Sequence, residues 1–299
     1  MKKYILPISA VLFIALSAFA ANPIKITGPI KITGSDIISK DIQYALTPLL
    51  KQNAIEAEFN MGGSFLGTKA LDNKSADIAI IAIPNGAKKP KDLMLFPIAF
   101  KHAVVAVNIA NPIEEISTAQ LARIYSARTA KRVESWQDLD INNASLKNIM
   151  PLTTSLSDPI IVEMFRYIAL KGQPIGSWVN ITKSRNEALA ILKGNNSAIA
   201  VVGKIENQDM LKILAISLSE GTDSNRYAFR PDRDNIFNGD YPLAIPFYVA
   251  VKKSEVPRLK SILKLILSDE VASTLDSSDF ISVPKNSRKK SIFELDIVK

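Results

Sequence analysis

The sequence predicts an α/β protein of two lobes, with the chain crossing between them twice. Three observations predict it. Short apolar runs alternate with segments whose apolar residues recur at helical spacing, the pattern of layered α/β structure. Several runs, 77–83 and 104–107 among them, are apolar without alternation, as strands covered on both faces are, so largely parallel sheets are expected. No low-complexity linker divides the chain, so its boundaries fall in strand-like crossings near 104–108 and 241–246. The expected division is 1–20 as a leader, 21–103 with 241–299 as one discontinuous lobe, and 104–240 as the other.

The elements follow in order. Lys2 and Lys3 precede an apolar run over 5–19, and Ala18-Phe19-Ala20 has the small-x-small form of a cleavage site. This reads as a secretory signal peptide cut after Ala20. The run is short for a membrane span, and with no cysteine at the cut a lipid anchor is not expected. The mature chain is expected to be exported, periplasmic or secreted, and not membrane-spanning. The hexamer PIKITG then occurs twice, at 23–28 and 29–34. Only the second copy runs on into Ser35 and a helical pattern. It is therefore the candidate first core strand, with Gly34 allowing a tight turn and Ser35 or Asp36 capping the helix. The first copy extends the arm or pairs as an edge strand.

A helix is expected over 36–50, where Ile38, Ile42, Ala45, Leu46 and Leu49 share a face. Strand 55–59, helix 64–71, strand 77–83 and strand 104–107 follow. Helix 118–125 is capped by Ser117 or Thr118. Strand 149–153 leads to an amphipathic helix over 159–170, with Pro159 at its first position. Helix 186–193 stops at Gly194 and leads to strand 198–202. Strand 247–251 and helix 256–267 close the series.

Composition narrows the function classes. The 299 residues are 47% hydrophobic, enough for two modest cores. With no cysteine, neither disulfide nor thiol chemistry is available, and one histidine makes no histidine-rich metal centre. There is no P-loop and no G-x-S-x-G elbow, so neither an enzyme nor a cofactor is expected. No basic-aromatic stripe marks a nucleic-acid surface. The formal charge of +8 suits an anionic ligand.

Three places share one grammar, a strand, then small or hydroxyl residues, then a helix start. They are Thr33-Gly34-Ser35, Gly62-Gly63-Ser64, and Thr153-Thr154-Ser155-Leu156-Ser157 ahead of Asp158-Pro159. The first turn of a helix offers unpaired N–H groups and a positive dipole end. Hydroxyls add donors, and glycine lets an anion approach the backbone. Three such turns facing one cleft would make an oxyanion site. Each alone is equally an ordinary cap.

The ordered series ITGS, GGS, SADIAI, FPIAFKHAVVAVN, LARIYSARTAKRVESWQDLD and YPLAIPFYVAVKK resembles the phosphate-binding proteins of bacterial phosphate ABC transporters. The resemblance spans most of the chain after the leader. It implies a periplasmic binding protein-like fold of type II and a small oxyanion, phosphate foremost, held between the lobes of a monomer. It also implies an ABC transporter permease as partner. Carried over by position, it implies ligand contacts at Thr33, Gly34, Ser35, Gly63, Ser64, Thr154, Ser155 and Ser157. Asp77 is the implied acceptor of the proton of hydrogen phosphate.

Two departures stand out. The third turn lacks the family's glycines and arginine, and Ile245 stands where a later arginine is implied. Phosphate is therefore expected to bind more weakly than is usual for the family. Lys101, Lys183, Arg185 and Lys204 are the candidate replacement bases, each also readable as solvated surface. His102, Trp136 and Trp178 read as packing residues. The alternative function is a relative without anion binding that serves as an envelope interaction module.

Overall fold

The computed structural model describes residues 28–154, 158–218 and 227–298. The expected leader, the first PIKITG through Thr27, and Ser155 to Ser157 lie outside the described residues.

The second PIKITG forms β1 (Ile30–Gly34). Ser35 caps a 3-10 turn (Asp36–Ile38) that feeds α1 (Ser39–Gln52), so the helix starts later than the apolar pattern does. β2 (Ala57–Asn60), α2 (Ser64–Asp72), β3 (Ile78–Ala82) and β4 (Leu93–His102) follow. β5 (Val104–Asn108), β6 (Glu115–Ser117) and α3 (Thr118–Tyr125) come next, α3 closed by a Ser117/Gln120 capping box. After a 3-10 turn (Trp136–Leu139) come β7 (Met150–Thr154), α4 (Pro159–Ile168), β8 (Asn180–Thr182), α5 (Arg185–Gly194) and β9 (Ala198–Val202). β10 (Leu211–Ile213), β11 (Ala215–Ser217) and α6 (Arg233–Asn238) precede the long β12 (Ala244–Lys252). The chain ends in α7 (Val256–Ile266), α8 (Asp269–Ser277), β13 (Phe280–Ser282) and α9 (Lys285–Ile297).

The strands form a six-stranded sheet ordered β13-β4-β12-β3-β1-β2, a five-stranded sheet ordered β10-β5-β9-β7-β8, and the pair β11-β6. Both larger sheets are mixed rather than mainly parallel. β1 runs parallel to β2 and β3, but β12 is antiparallel to β3 and β4. β7 is parallel to β8 and β9, whereas β5 is antiparallel to β9 and β10. The reason is the traffic between sheets. β4 leads out of the first sheet directly into β5 of the second, and β12 returns beside β4 in the opposite direction.

The two passages lie side by side. The Ala103 N–H donates to the Leu243 carbonyl at 2.9 Å, and the buried Tyr241 hydroxyl donates to the Ala103 carbonyl at 2.8 Å. One apolar core lies against the first sheet, around Ile32, Leu46, Phe247 and Leu263. A second gathers Tyr125, Trp136, Phe165 and Ile199 and extends through the passages to Phe100 and Leu243. Trp136 sits in that core with its indole N–H on the Ser197 carbonyl, a packing residue as its sequence suggests.

Candidate functional site

The first two strand-to-helix turns form one structure. The Gly63 N–H donates to the Gly34 carbonyl and the Ser35 N–H to the Ile80 carbonyl, both at 2.7 Å. The Ser64 hydroxyl accepts from the Ala82 N–H at 2.9 Å, so α2 starts against the end of β3. A side chain at Gly34 would have no space. A Cβ there would lie 2.0 Å from the Ile80 carbonyl oxygen, and one at Gly67 would lie 2.8 Å from the Gly34 Cα. Glycine at both positions lets α2 lie directly on β1 and brings the two turns together.

Donors collect at this junction. In α2 the Gly67 amide is the first to close, on the Gly63 carbonyl at 2.9 Å. The amides of Ser64, Phe65 and Leu66 have no backbone acceptor among the described residues, as expected of a first helical turn. Ser64 accepts through its oxygen, which leaves its hydroxyl proton to give. The buried Ser35 hydroxyl likewise accepts, from the Ile37 N–H at 3.3 Å. Thr33 is different. Its hydroxyl donates to the Asn60 carbonyl at 2.7 Å, so its proton ties β1 to β2.

Asp77 does not join them. It lies just before β3, beside Lys31, while the junction lies at the far end of that strand. Five residues of extended chain separate Asp77 from Ala82, roughly 16 Å. One Asp77 oxygen accepts from the Lys31 N–H at 2.8 Å, and the other pairs with Arg258. At the end of β3 that faces Ser64 stand Ala82, Ile83 and Pro84, none of them an acid. The expectation that Asp77 takes the ligand's proton is thereby corrected. Asp77→Asn is expected to lower stability by about 1 kcal/mol through the loss of a part-exposed ion pair. It should leave anion affinity unchanged, as urea midpoints and calorimetric titration together would show.

The third turn belongs to the other sheet. Thr153 and Thr154 end β7, both buried, and their hydroxyls have no partner among the described residues. Ser155 and Ser157 lie outside those residues. Asp158 stands at the start of α4 without a side-chain cap bond, and Pro159, with no N–H, removes one donor that a helix start would otherwise offer.

Of the four candidate bases, the structure gathers three. Arg185, at the first position of α5, donates to Asp158 Oδ2 at 2.7 Å and, from both terminal nitrogens, to Asp279 at 2.8 and 2.7 Å. Lys101 Nζ lies 3.5 Å from Asp279 and over the Phe280 ring. Lys204 Nζ donates to the carbonyls of Asp276 and Ser278. Lys183 stays exposed. Lys101 is only 7% exposed, which corrects its reading as solvated surface. The sequence shows no alternation that would betray its burial, because β4 is covered on both faces at that end.

Gly203, at the end of β9, completes the arrangement. A Cβ there would lie 2.6 Å from Arg185 Nη2 and 2.7 Å from Asp158 Oδ2. Electrostatics follow from these contacts. The Arg185 hydrogen bond, with Lys101 beside it, holds the Asp279 carboxyl down at about 2 despite partial burial. Burial, with Lys101 and Lys204 adding to it, pushes His102 down to about 4, so this imidazole is neutral at neutral pH. Sequence reasoning missed Asp279, because nothing local marks a short turn between α8 and β13 as part of a site. Among the described residues no cluster of His, Cys, Asp and Glu has the form of a metal centre.

Two mixed α/β sheets are joined by paired passages, and the first carries a donor-bearing helix start at its strand ends. Residues 21–270 match the family described as the PBP superfamily domain, and the chain belongs to that family. It is 27% identical over 214 residues to Protein SphX of Synechococcus elongatus, a match that takes in 67% of this chain and 60% of that relative's length. Its fold is similar to the crystal structure of PstS from Borrelia burgdorferi, at 15% identity and a TM-score of 0.70, over 86% of this chain and 100% of that one. It is also similar to an ABC-type phosphate transport receptor from Vibrio cholerae, at 19% identity and a TM-score of 0.61, over 84% and 99% of the two chains. No helix among the described residues is long and apolar enough to cross a membrane.

Proposed function

We propose that this protein is an exported, monomeric receptor that captures a small oxyanion, phosphate foremost, and delivers it to an ABC importer. In this reading the two sheets are the cores of two lobes, and the paired passages at Ala103 and Leu243 are the hinge. The lobe boundaries are those expected from sequence, 21–103 with 241–299 against 104–240. The observation that carries the reading is the fused Gly34–Ser35 and Gly63–Ser64 junction. It combines free amides of a helix start with two hydroxyls that have protons to give. Such a donor set suits an acceptor-rich anion. The names of the relatives support phosphate as the first ligand to test. Hydroxyls and amides hold an oxyanion without supplying a general base, which fits a binding protein rather than an enzyme.

The test is calorimetric titration of residues 21–299 with phosphate and with sulfate. Saturable binding of either is the expected result, and Ser64→Ala should weaken it about tenfold by removing one hydrogen bond to a charged acceptor. Unchanged affinity in Ser64→Ala would remove the junction from the site. A second reading has its own observation. Arg185 is already paired with two carboxylates, as befits a relative that no longer captures anions. Absence of binding by either anion would favour that reading, with the protein then serving as an envelope interaction module.

A further inference from the structure

The turn between α8 and β13 is where charged groups of the two sheets meet. From the side of the five-stranded sheet, Arg185 reaches Asp279, Lys204 reaches the carbonyls of Asp276 and Ser278, and Arg233 reaches Asp276 and Ser282. The turn itself belongs to the six-stranded sheet through β13. Ser278, the residue before Asp279, donates to Asp41 in the first turn of α1 at 2.7 Å, so the turn borders the helix that Ser35 leads into.

The contact between Arg185 and Asp279 is unlike the others. Both terminal nitrogens of the guanidinium meet both oxygens of the carboxylate, the fork geometry in which arginine holds a carboxylate, a phosphate or a sulfate. Lys101 supplies a second positive charge from beneath. Asp158 holds the guanidinium from its own side of the cleft, so the fork stays aimed even when Asp279 leaves. Asp279 itself is free to leave, since its side chain is 40% exposed and it ends a short turn. Lys101 is not, since it is buried in β4 beneath a phenyl ring. Without Asp279 the buried Lys101 ammonium would lack an anion, which is costly, and the half-buried Arg185 guanidinium would keep Asp158 alone. Departure of Asp279 is therefore tied to arrival of another anion.

We propose that Asp279 is an internal counter-anion that occupies an oxyanion seat formed by Arg185 and Lys101, and that the ligand takes this seat by displacing it. The ligand class, a small divalent tetrahedral oxyanion such as phosphate or sulfate, rests on the function proposed above. The seat supplies the arginine that the third turn and position 245 lack. It also gives a physical cause for the weak binding expected from the sequence, because a ligand must first compete with a carboxylate already in place.

The experiment compares wild type, Asp279→Asn, Asp276→Asn and the double variant Asp279→Asn/Arg185→Met in calorimetric titrations with phosphate and sulfate at low and high ionic strength. Asp279→Asn is expected to tighten binding of at least one anion about tenfold at low ionic strength, by removing the competitor for the competent state. The gain should shrink in high salt. The double variant should lose it, and Asp276→Asn, which disturbs the same turn without touching the fork, should bind as wild type does. Unchanged or weaker affinity in Asp279→Asn would overturn the proposal. So would an equal gain in Asp276→Asn, which would mean that loosening the turn is enough. If wild type binds neither anion while Asp279→Asn binds one, the seat stands and anion capture by the wild-type chain falls. If neither protein binds either anion, both fall.

Discussion

Gly34→Ala is expected to destabilise the protein by about 4 kcal/mol or more, enough to unfold it at physiological temperature. Two costs add. The backbone at Gly34 has φ +128°, a conformation that residues with a Cβ rarely adopt. The new methyl would also sit 2.0 Å from the Ile80 carbonyl oxygen, in the middle of a sheet buried on both faces. Neither neighbour can retreat, because Ile80 is held between β1 and β12 and the Gly34 carbonyl carries α2 through Gly63. Gly28→Ala serves as the comparison. It has φ +83° with nothing within 4 Å, so it should cost only the conformational part, about 1–2 kcal/mol. Urea midpoints of the two variants separate the terms. Equal, small losses would mean that α2 does not press on β1 as described.

Acid is expected to remove a defined part of the stability through His102. Its folded value of about 4 lies below the ordinary 6.5, because burial penalises the charged ring and Lys101 and Lys204 repel it. The sign follows from proton counts. Between pH 6.5 and 4 the unfolded chain binds a proton at this position and the folded chain does not. The contribution is thus fully present above pH 6.5 and is lost progressively as pH falls to 4. Its total size is about 3 kcal/mol, from a difference near 2.5 pH units at 1.36 kcal/mol each. Arg185, whose hydrogen bonds to Asp279 and Asp158 raise its value further, stays charged throughout this window. Asp279, held down at about 2, titrates below it. His102→Gln should therefore flatten the stability profile between pH 6.5 and 4. An identical slope in wild type and variant would show that the imidazole is not the group responsible.

Much of this architecture is written in local sequence. β3 and β9 are short runs of Ile, Val and Ala, and such runs have few alternatives to a covered strand. The second PIKITG was identifiable as the core copy because only it continues into a capping serine and a helical face. The paired hydroxyl and glycine turns at Gly34 and Gly63 carry their own grammar, since helix starts need donors' partners and close approaches need glycine. The shorter elements had no such signal. β6, β8, β10, β11 and β13 are three residues each, too brief for a period to declare itself, and they exist because a neighbouring strand offers hydrogen bonds.

Direction and encounter were decided only in three dimensions. The pairing of β12 with β3 and β4 joins segments far apart in sequence, so no local pattern could make the six-stranded sheet mixed. Asp77 precedes a covered strand in sequence, but which end of that strand faces a cleft depends on the neighbours that flank it. Arg185 and Asp279 are 94 residues apart and each has ordinary surroundings in the chain. Their meeting follows from the start of β13 standing opposite the start of α5 once the two sheets are in place. Composition and periodicity act over a few residues and so determine elements and faces. Charges act through space, and only the folded backbone determines which of them are within a few ångströms.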